Sequence, residues 1–308
     1  MSSLAEAVVF DRVSRRYGKV EAVRELSLSI AEGEMFGLIG PDGAGKTTTM
    51  RLLCGLLRAD AGRIRVLDAD PVVQHRELTD KVGYLSQRFS LYADLSVNEN
   101  IAFFAEIHGM RDYTARRDRL LEMTQLTAFG GRLAGQLSGG MKQKLALACT
   151  LVHEPRLMVL DEPTTGVDPV SRREFWKLLS EFLSQGITIV MSTPYLDEAE
   201  RCSRVALLHQ GQLLALDRPD RLRAALPGAL IEVIAPDHRR AIAVLRSLPG
   251  VVDVQSFGER AHVRLAQTAA GVEWIASELR ARDVPVTSIR PVPASLEDVF
   301  VTRLGELS

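Results

Sequence analysis

The chain is poor in the residues that mark several protein classes. It has three cysteines in 308 residues, at positions 54, 149 and 202, and their spacing indicates neither a zinc site nor a disulfide framework. A reducing cytoplasmic setting is therefore expected. An excess of one charge is also missing, because 38 Lys and Arg stand against 39 Asp and Glu. The balance gives no bulk electrostatic reason to expect a nucleic acid or an anionic membrane as a partner.

Long apolar runs are missing as well. No stretch approaches the roughly 20 apolar residues that a membrane-spanning helix needs, and the first residues do not predict a secretory signal. A hydrophobic content of 46% and a charged content of 25% are typical of a globular protein. The length predicts one large domain and one smaller domain. If the protein acts on a membrane, we expect it to do so through a partner.

A glycine-rich string near the start points to phosphate binding. The string GPDGAGKT, residues 40–47, fits the G-x-x-x-x-G-K-[ST] pattern of nucleotide hydrolases. Its glycines allow backbone N–H groups to turn toward an anion, and the following helix adds its positive end. We expect Lys46 to reach the β- and γ-phosphates and the Thr47 hydroxyl to ligate Mg²⁺. A buried strand at 35–39 and a helix at 47–57 give this loop its proper context.

The rest of the first 220 residues predicts an α/β core. Short strands are expected at 8–10 and 26–30, with further strands at 62–67, 82–85, 157–160 and 187–190. Helices are expected from Ser96 onward, opened by a capping box with Glu99, and at 142–152. After a Pro- and Gly-rich stretch at 219–228, the order becomes β-α-β-β-α-β, which predicts a small split-βαβ domain.

Two further segments carry residues suited to bind a metal ion or an anion. The strand at 157–160 ends in Asp161 and Glu162, which are placed to hold the Mg²⁺ shell and to polarise the attacking water, respectively. The string LSGGMKQ at 137–143 puts Ser138 and two glycines at the start of a helix, which makes a second anion-binding surface. Two such surfaces on one chain predict a nucleotide held between two domains. An ordinary helix cap is the plainer alternative for the second.

With these motifs the chain resembles the nucleotide-binding subunits of ATP-binding-cassette (ABC) transporters over about residues 7–220. LSGGMKQ matches that family's signature string, and the motifs come in the family's order. The resemblance implies that Gln87 contacts Mg²⁺ and water and senses the membrane partner, that Tyr17 stacks on adenine, and that Asp168 couples the two sites of a dimer. It implies catalytic roles for Glu162, Lys46 and Gln87, and Mg²⁺ ligation by Thr47, Gln87 and Asp161. It places ATP on Tyr17, Gly40, Asp42, Gly43, Ala44, Gly45, Lys46, Thr47, Thr48, Ser138, Gly139, Gly140 and Asp168.

The resemblance implies a P-loop cassette with a RecA-like core, an antiparallel β-subdomain and a helical subdomain over residues 1–225. An α+β accessory domain follows at 226–308. Its tail, ASLEDVF at 294–300, is similar to that of ATPases serving ABC-2 type exporters of the daunorubicin-resistance and multidrug group.

The function that this resemblance implies is an ATP-hydrolysing motor for drug, lipid or polymer efflux. It would be a homodimer, or a heterodimer with a second ABC ATPase, on permease subunits at the inner face of the plasma membrane. No nucleic acid partner is expected. Phe89 and Tyr92 are expected to face the permease.

Two positions depart from the family. Asp42 stands where Asn is usual, and its charge weakens phosphate binding unless the side chain faces away. Pro194 occupies the position of the switch histidine; it has neither a side-chain donor nor a backbone N–H, and losing one oriented donor costs on the order of 10²–10³ in rate. Three interpretations remain open: slow hydrolysis by Glu162 alone, a regulatory clamp paired with an intact ATPase, or substitution by Thr193 or a water molecule.

Overall fold

The computed structural model describes residues 5–87, 91–266 and 271–306. They divide into two compact units, on either side of the Arg218–Pro219 bond. The sequence places the boundary later, after residue 225, and the short helix at Pro219–Ala224 belongs to the second unit. Among the described residues, none of the helices combines the length and the apolar character that a membrane crossing requires.

The first unit contains the strands β1 to β9, between residues 6 and 217. They are β1 (Glu6–Tyr17), β2 (Val20–Ala31), β3 (Met35–Ile39), β4 (Ala61–Val66), β5 (Val82–Leu85), β6 (Leu157–Asp161), β7 (Thr188–Thr193), β8 (Arg204–His209) and β9 (Gln212–Asp217). The helices between them are α1 (Lys46–Leu53), α2 (His75–Thr79), α3 (Val97–Ile107), α4 (Thr114–Met123), α5 (Gly139–Leu151), α6 (Pro169–Ser184) and α7 (Leu196–Ala199).

A six-stranded sheet in the order β5-β6-β7-β3-β8-β9 forms the core of this unit. All pairs are parallel except β8 with β9. Every residue of β3, β6 and β7 is buried, as the continuous apolar runs predict for parallel strands covered on both faces. Because parallel strands end at the same edge, the segments after Ile39, Asp161 and Thr193 meet there.

A separate antiparallel sheet, in the order β2-β1-β4, makes the β-subdomain. Its first two strands have 12 residues each, so the prediction of short strands at 8–10 and 26–30 was wrong in length. Arg12 and Glu25 adopt positive φ angles of 47° and 41°, and the pairing register shifts between Phe10 and Val13. These irregularities interrupt the alternating pattern while the strands continue.

The helices confirm the helical subdomain and correct one boundary. Ser96 caps α3 in a capping box with Glu99, and α5 packs against α3 and α4. The predicted helix at 47–57 ends instead at Leu53. It ends there because Gly55 has a φ of 68° and lies so close to Pro71 that no Cβ would fit.

The second unit has the predicted β-α-β-β-α-β order. Its elements are α8 (Pro219–Ala224), β10 (Ala229–Ile234), α9 (His238–Ser247), β11 (Val251–Phe257), β12 (Arg260–Leu265), α10 (Val272–Arg280), β13 (Ser288–Pro291) and α11 (Leu296–Gly305). The four strands form one antiparallel sheet in the order β11-β12-β10-β13.

One buried charge stands out in that sheet. Glu232 is 3% exposed, and it accepts a hydrogen bond of 2.7 Å from Arg290 Nε on the neighbouring strand. That bond is the main cause that lowers the pKa of the Glu232 carboxyl from its ordinary value. Its ionised form is therefore part of the folded second unit.

Candidate nucleotide-binding site

The loop between β3 and α1 has, at two points, a backbone conformation that strongly favours glycine. Gly43 and Gly45 adopt φ angles of 78° and 103°. A Cβ on Gly45 would lie 2.3 Å from the carbonyl oxygen of Ala22, and one on Gly40 would lie 2.3 Å from that of Leu208. No side chain caps α1, so the N–H groups of its first turn are left for another acceptor. The loop thus supplies the N–H groups that the predicted anion site needs.

Lys46 lies at the centre of this loop and is buried. Its ammonium donates to the carbonyl oxygens of Gly40 (2.8 Å) and Pro41 (3.2 Å). It also forms an ion pair of 3.1 Å with Glu162 Oε1. The two predicted catalytic groups thus neutralise each other, and both charges stay within reach of the loop.

The two carboxylates after β6 have different surroundings. Asp161 Oδ1 accepts from Ser192 Oγ (2.6 Å) and from Thr47 Oγ1 (3.2 Å). Its other oxygen, Oδ2, is buried and has no hydrogen-bond partner in the described part of the chain. A buried carboxylate oxygen next to a threonine hydroxyl is a donor set that suits a hard cation such as Mg²⁺.

Glu162 is held in a sparsely populated conformation, with a φ of 49°. Its backbone N–H donates to the hydroxyl (3.0 Å) and the carbonyl (3.2 Å) of Ser192. Its Oε2 atom accepts from Gln87 Nε2 (3.0 Å) and Thr165 Oγ1 (3.4 Å). A left-handed non-glycine residue held by several contacts is a common feature of functional sites.

A cavity of about 410 Å³ lies beside the phosphate loop, Gln87 and Glu162. Its lining residues come from β1 and β2, the phosphate loop, the start of α1 and the segments after β5 and β6: Tyr17, Val20, Ala22, Asp42, Gly43, Ala44, Gly45, Lys46, Thr47, Thr48, Gln87 and Glu162. Tyr17 is 43% exposed, and the Arg15 guanidinium lies over its ring, 5.2 Å from the centroid. Sequence reasoning missed Val20 and Ala22, because two small apolar residues on a strand carry no motif.

The signature residues lie on a different surface. Ser138 caps α5 and accepts from Met141 N, Gly139 is exposed, and a Cβ on Gly140 would lie 2.3 Å from Ser171 Oγ. Asp168 caps α6, and hydrogen bonds from Ser171 are the main cause that lowers its carboxyl pKa. None of Ser138, Gly139, Gly140 and Asp168 is among the described residues lining the cavity.

The segment after β7 shows what surrounds Pro194. The Thr193 hydroxyl donates to Glu198 Oε2 (2.7 Å) and accepts from Tyr195 N (3.0 Å). Its only hydrogen is therefore already used, which removes Thr193 as a substitute donor in this arrangement.

Tyr92 is 45% exposed and contacts Phe103 edge-on at 4.6 Å. The other residue expected to face a permease, Phe89, lies outside the described residues.

A family model and curated relatives match this chain, and their descriptions name ABC transporters or ATP-binding proteins. The family model described as "ABC transporter" matches residues 23–165. The chain is 42% identical over 289 residues to the probable multidrug ABC transporter ATP-binding protein YbhF of Escherichia coli (strain K12). That alignment covers 92% of this chain and 49% of the relative, so the chain spans about half the length of YbhF.

A second relative matches over almost the whole of both chains. The chain is 34% identical over 306 residues to the daunorubicin resistance ATP-binding protein DrrA2 of Streptomyces coeruleorubidus, with 97% of this chain and 95% of the relative covered. Among solved structures, a dimeric post-hydrolysis state of an ATP-binding cassette bound to ADP and Pi is similar, with a TM-score of 0.62 and 26% identity. It covers 68% of this chain and 98% of that chain.

Proposed function

The chain belongs to the ABC transporter family, and on that premise we propose that it is the ATP-binding and ATP-hydrolysing motor subunit of an ABC-2 type exporter. The observation that carries the proposal is the cavity in which the phosphate loop, Gln87 and Glu162 meet. It brings together backbone N–H groups, one lysine and one carboxylate that can polarise a water molecule. Phosphoryl transfer to water requires these groups.

Nucleotide binding uses the loop and the exposed aromatic ring. The phosphates lie on the N–H groups of the loop at 40–48, and the adenine stacks on Tyr17. Lys46 then donates to the β- and γ-phosphates instead of to Glu162. This exchange frees Glu162 Oε1, which pairs with Lys46 Nζ at 3.1 Å, to accept a proton from the attacking water.

Thr47, Asp161 and Gln87 would hold Mg²⁺. Thr47 Oγ1 and Asp161 Oδ1 are 3.2 Å apart, and Gln87 adds an amide oxygen. Asp161 Oδ2, which accepts no hydrogen bond from the residues that the structure describes, adds a second carboxylate oxygen. The ion would supply charge neutralisation for the phosphates. Gln87 also positions Glu162 through the 3.0 Å bond from its Nε2 atom.

Each ATP is shared by two subunits in this proposal. Ser138, Gly139, Gly140 and Asp168 do not line the cavity, so they serve the nucleotide held by the opposite subunit. A dimer, with the same chain or with a second ABC ATPase, completes both sites. Permease subunits are the membrane partners, contacted by the surface around Tyr92, and the working place is the inner face of the plasma membrane. The daunorubicin resistance protein that aligns over almost its whole length supports export.

Pro194 favours a second candidate, a nucleotide clamp with little turnover that pairs with an intact ATPase. No side-chain donor stands at that position, and the Thr193 hydroxyl is occupied by Glu198. The retained carboxylate of Glu162, held by Lys46, Gln87 and Thr165, favours the motor.

Steady-state ATP hydrolysis of the purified chain separates the two candidates. We expect slow turnover in the parent, a loss of at least about 100-fold in Glu162→Gln, and a gain of about tenfold or more in Pro194→His, since one oriented donor is regained. Glu122→Gln, an exposed carboxylate on α4, is the matched control. A parent without turnover, made active by Pro194→His, would favour the clamp.

A further inference from the structure

Glu198 is a buried carboxylate that none of the nucleotide-binding motifs accounts for. It lies on the short helix α7 and is 1% exposed. Thr164 Oγ1 donates to its Oε1 atom (2.6 Å), and Thr193 Oγ1 donates to its Oε2 atom (2.7 Å). Arg172 Nε lies 3.6 Å from Oε1. A buried carboxylate is tolerated only with such partners, so the contacts form one connected network.

Thr164 follows the two carboxylates at the end of β6, and Thr193 lies on the neighbouring strand β7. Thr164 is two residues after Glu162, in a turn where Thr165 N donates to the Glu162 carbonyl and Val167 N to the Thr164 carbonyl (each 3.2 Å). Glu198 is therefore hydrogen-bonded to the turn that presents Glu162.

Thr193 ends β7 next to Ser192. Ser192 Oγ donates to Asp161 Oδ1, and the Ser192 hydroxyl and carbonyl accept from the backbone N–H of Glu162. Gly40 N also donates to the Thr193 carbonyl (3.4 Å). Holding Thr193 thus holds the backbone beside both carboxylates and the start of the phosphate loop.

The same network fixes the turn at Pro194. Tyr195 N donates to Thr193 Oγ1 (3.0 Å), and the guanidinium of Arg172 lies over the Tyr195 ring at 4.8 Å. Pro194 itself cannot donate a hydrogen bond. Orientation of the site must therefore come from groups around this turn.

We infer that Glu198 is a positioning residue that holds the Glu162 turn and the end of β7 in register for ATP hydrolysis, through Thr164 and Thr193. The inference rests on the proposed hydrolytic function. Glu198 contacts no residue of the cavity lining in the hydrogen bonds described, so it acts on the reaction through the two threonines. Misplacing a reacting group by a fraction of an ångström slows chemistry more than it weakens binding.

Kinetics test the role directly. We expect Glu198→Gln to lower kcat about tenfold or more while KM for MgATP stays within about twofold, because the phosphate contacts remain. Asp197→Asn, the same charge change on the adjacent exposed residue, should leave both values unchanged. Thr164→Val should resemble Glu198→Gln, and Thr164→Ser, which keeps the hydroxyl, should recover most of the lost kcat.

Amide hydrogen exchange of the peptide spanning 161–167 gives a readout that needs no turnover. We expect faster exchange at Glu162, Thr165 and Val167 in Glu198→Gln than in Asp197→Asn, with MgATP bound to both. Unchanged exchange and an unchanged kcat overturn the inference while the proposed function stands. An inactive parent whose loop exchange still depends on Glu198 overturns the hydrolytic function and keeps the positioning role.

Discussion

Asp42 puts a carboxylate on the wall of the cavity in which we place the phosphates. The side chain is exposed, so solvent screens its charge without removing it. We expect Asp42→Asn to tighten MgATP binding about two- to fivefold at low salt, since like charges a few ångströms apart repel by about 1 kcal/mol in such surroundings. The gain should shrink as ionic strength rises.

Equilibrium titration of a fluorescent ATP analogue, in a Glu162→Gln background that prevents turnover, measures the effect. Asp112→Asn, an exposed acid before α4, is the control and should not change affinity. Equal affinities with and without the Asp42→Asn substitution, or a gain that persists at high salt, would contradict the electrostatic explanation.

The residues that sequence could predict are those whose roles depend on local backbone. Lys46 and Thr47 follow from the shape of a glycine loop, and Glu162 from its place after a buried strand. Glu198 could not be predicted, because its partners Thr164 and Thr193 are 34 and five residues away and polar contacts of this kind leave no periodic pattern.

At the scale of elements, the two adjacent glycines of the signature string differ in their surroundings: Gly140 is buried and Gly139 is exposed. Gly140 faces α6, where a Cβ would meet Ser171 Oγ at 2.3 Å and Ser171 Cβ at 2.6 Å, whereas a Cβ on Gly139 would have no atom within 4 Å. We expect Gly140→Ala to destabilise the first unit by about 1–3 kcal/mol through overpacking. Gly139→Ala should be neutral or stabilising by about 0.5–1 kcal/mol, because alanine favours the helix.

Urea unfolding of both variants provides the comparison. Gly140→Ala combined with Ser171→Gly should regain most of the lost stability, because that change removes both atoms in conflict. Equal destabilisation by the two alanine variants would show that close packing of α5 on α6 is not the cause.

The apolar pattern of the sequence predicts which segments are helices or strands, but it does not predict where they end. The apolar runs of β3, β6 and β7 predict buried parallel strands, and the structure confirms them. The end of α1 depends instead on Gly55 meeting Pro71, a contact between distant segments. The bulges in β1 and β2 likewise hide the full length of those strands from a period-two pattern.

At the scale of the whole molecule, the two units carry different acid-sensitive groups. In the first unit His153 stacks on His108, with ring centroids 3.7 Å apart. Burial, and secondarily the neighbouring His108, lowers the pKa of His153 from 6.5 to about 4. In the second unit the hydrogen bond from Arg290 lowers the pKa of Glu232 below its ordinary 4.5.

These shifts have the same sign and separate pH ranges. Between pH 6.5 and about 4 an unfolded chain protonates His153 while the folded unit does not, so stability of the first unit falls as pH falls through that range. Glu232 stabilises the second unit fully above pH 4.5, and this contribution is lost only as pH falls further, through the lowered folded-state pKa. Acidification should therefore weaken the first unit before the second.

Scanning calorimetry of the full chain from pH 7 to pH 5 tests the order. We expect the transition of the first unit to fall by about 5 °C over this range, and that of the second unit to stay nearly constant. His153→Gln should flatten the pH dependence of the first transition, whereas His75→Gln, at an exposed position, should leave it intact. Equal slopes in the two variants would show that another group in the first unit takes up the proton.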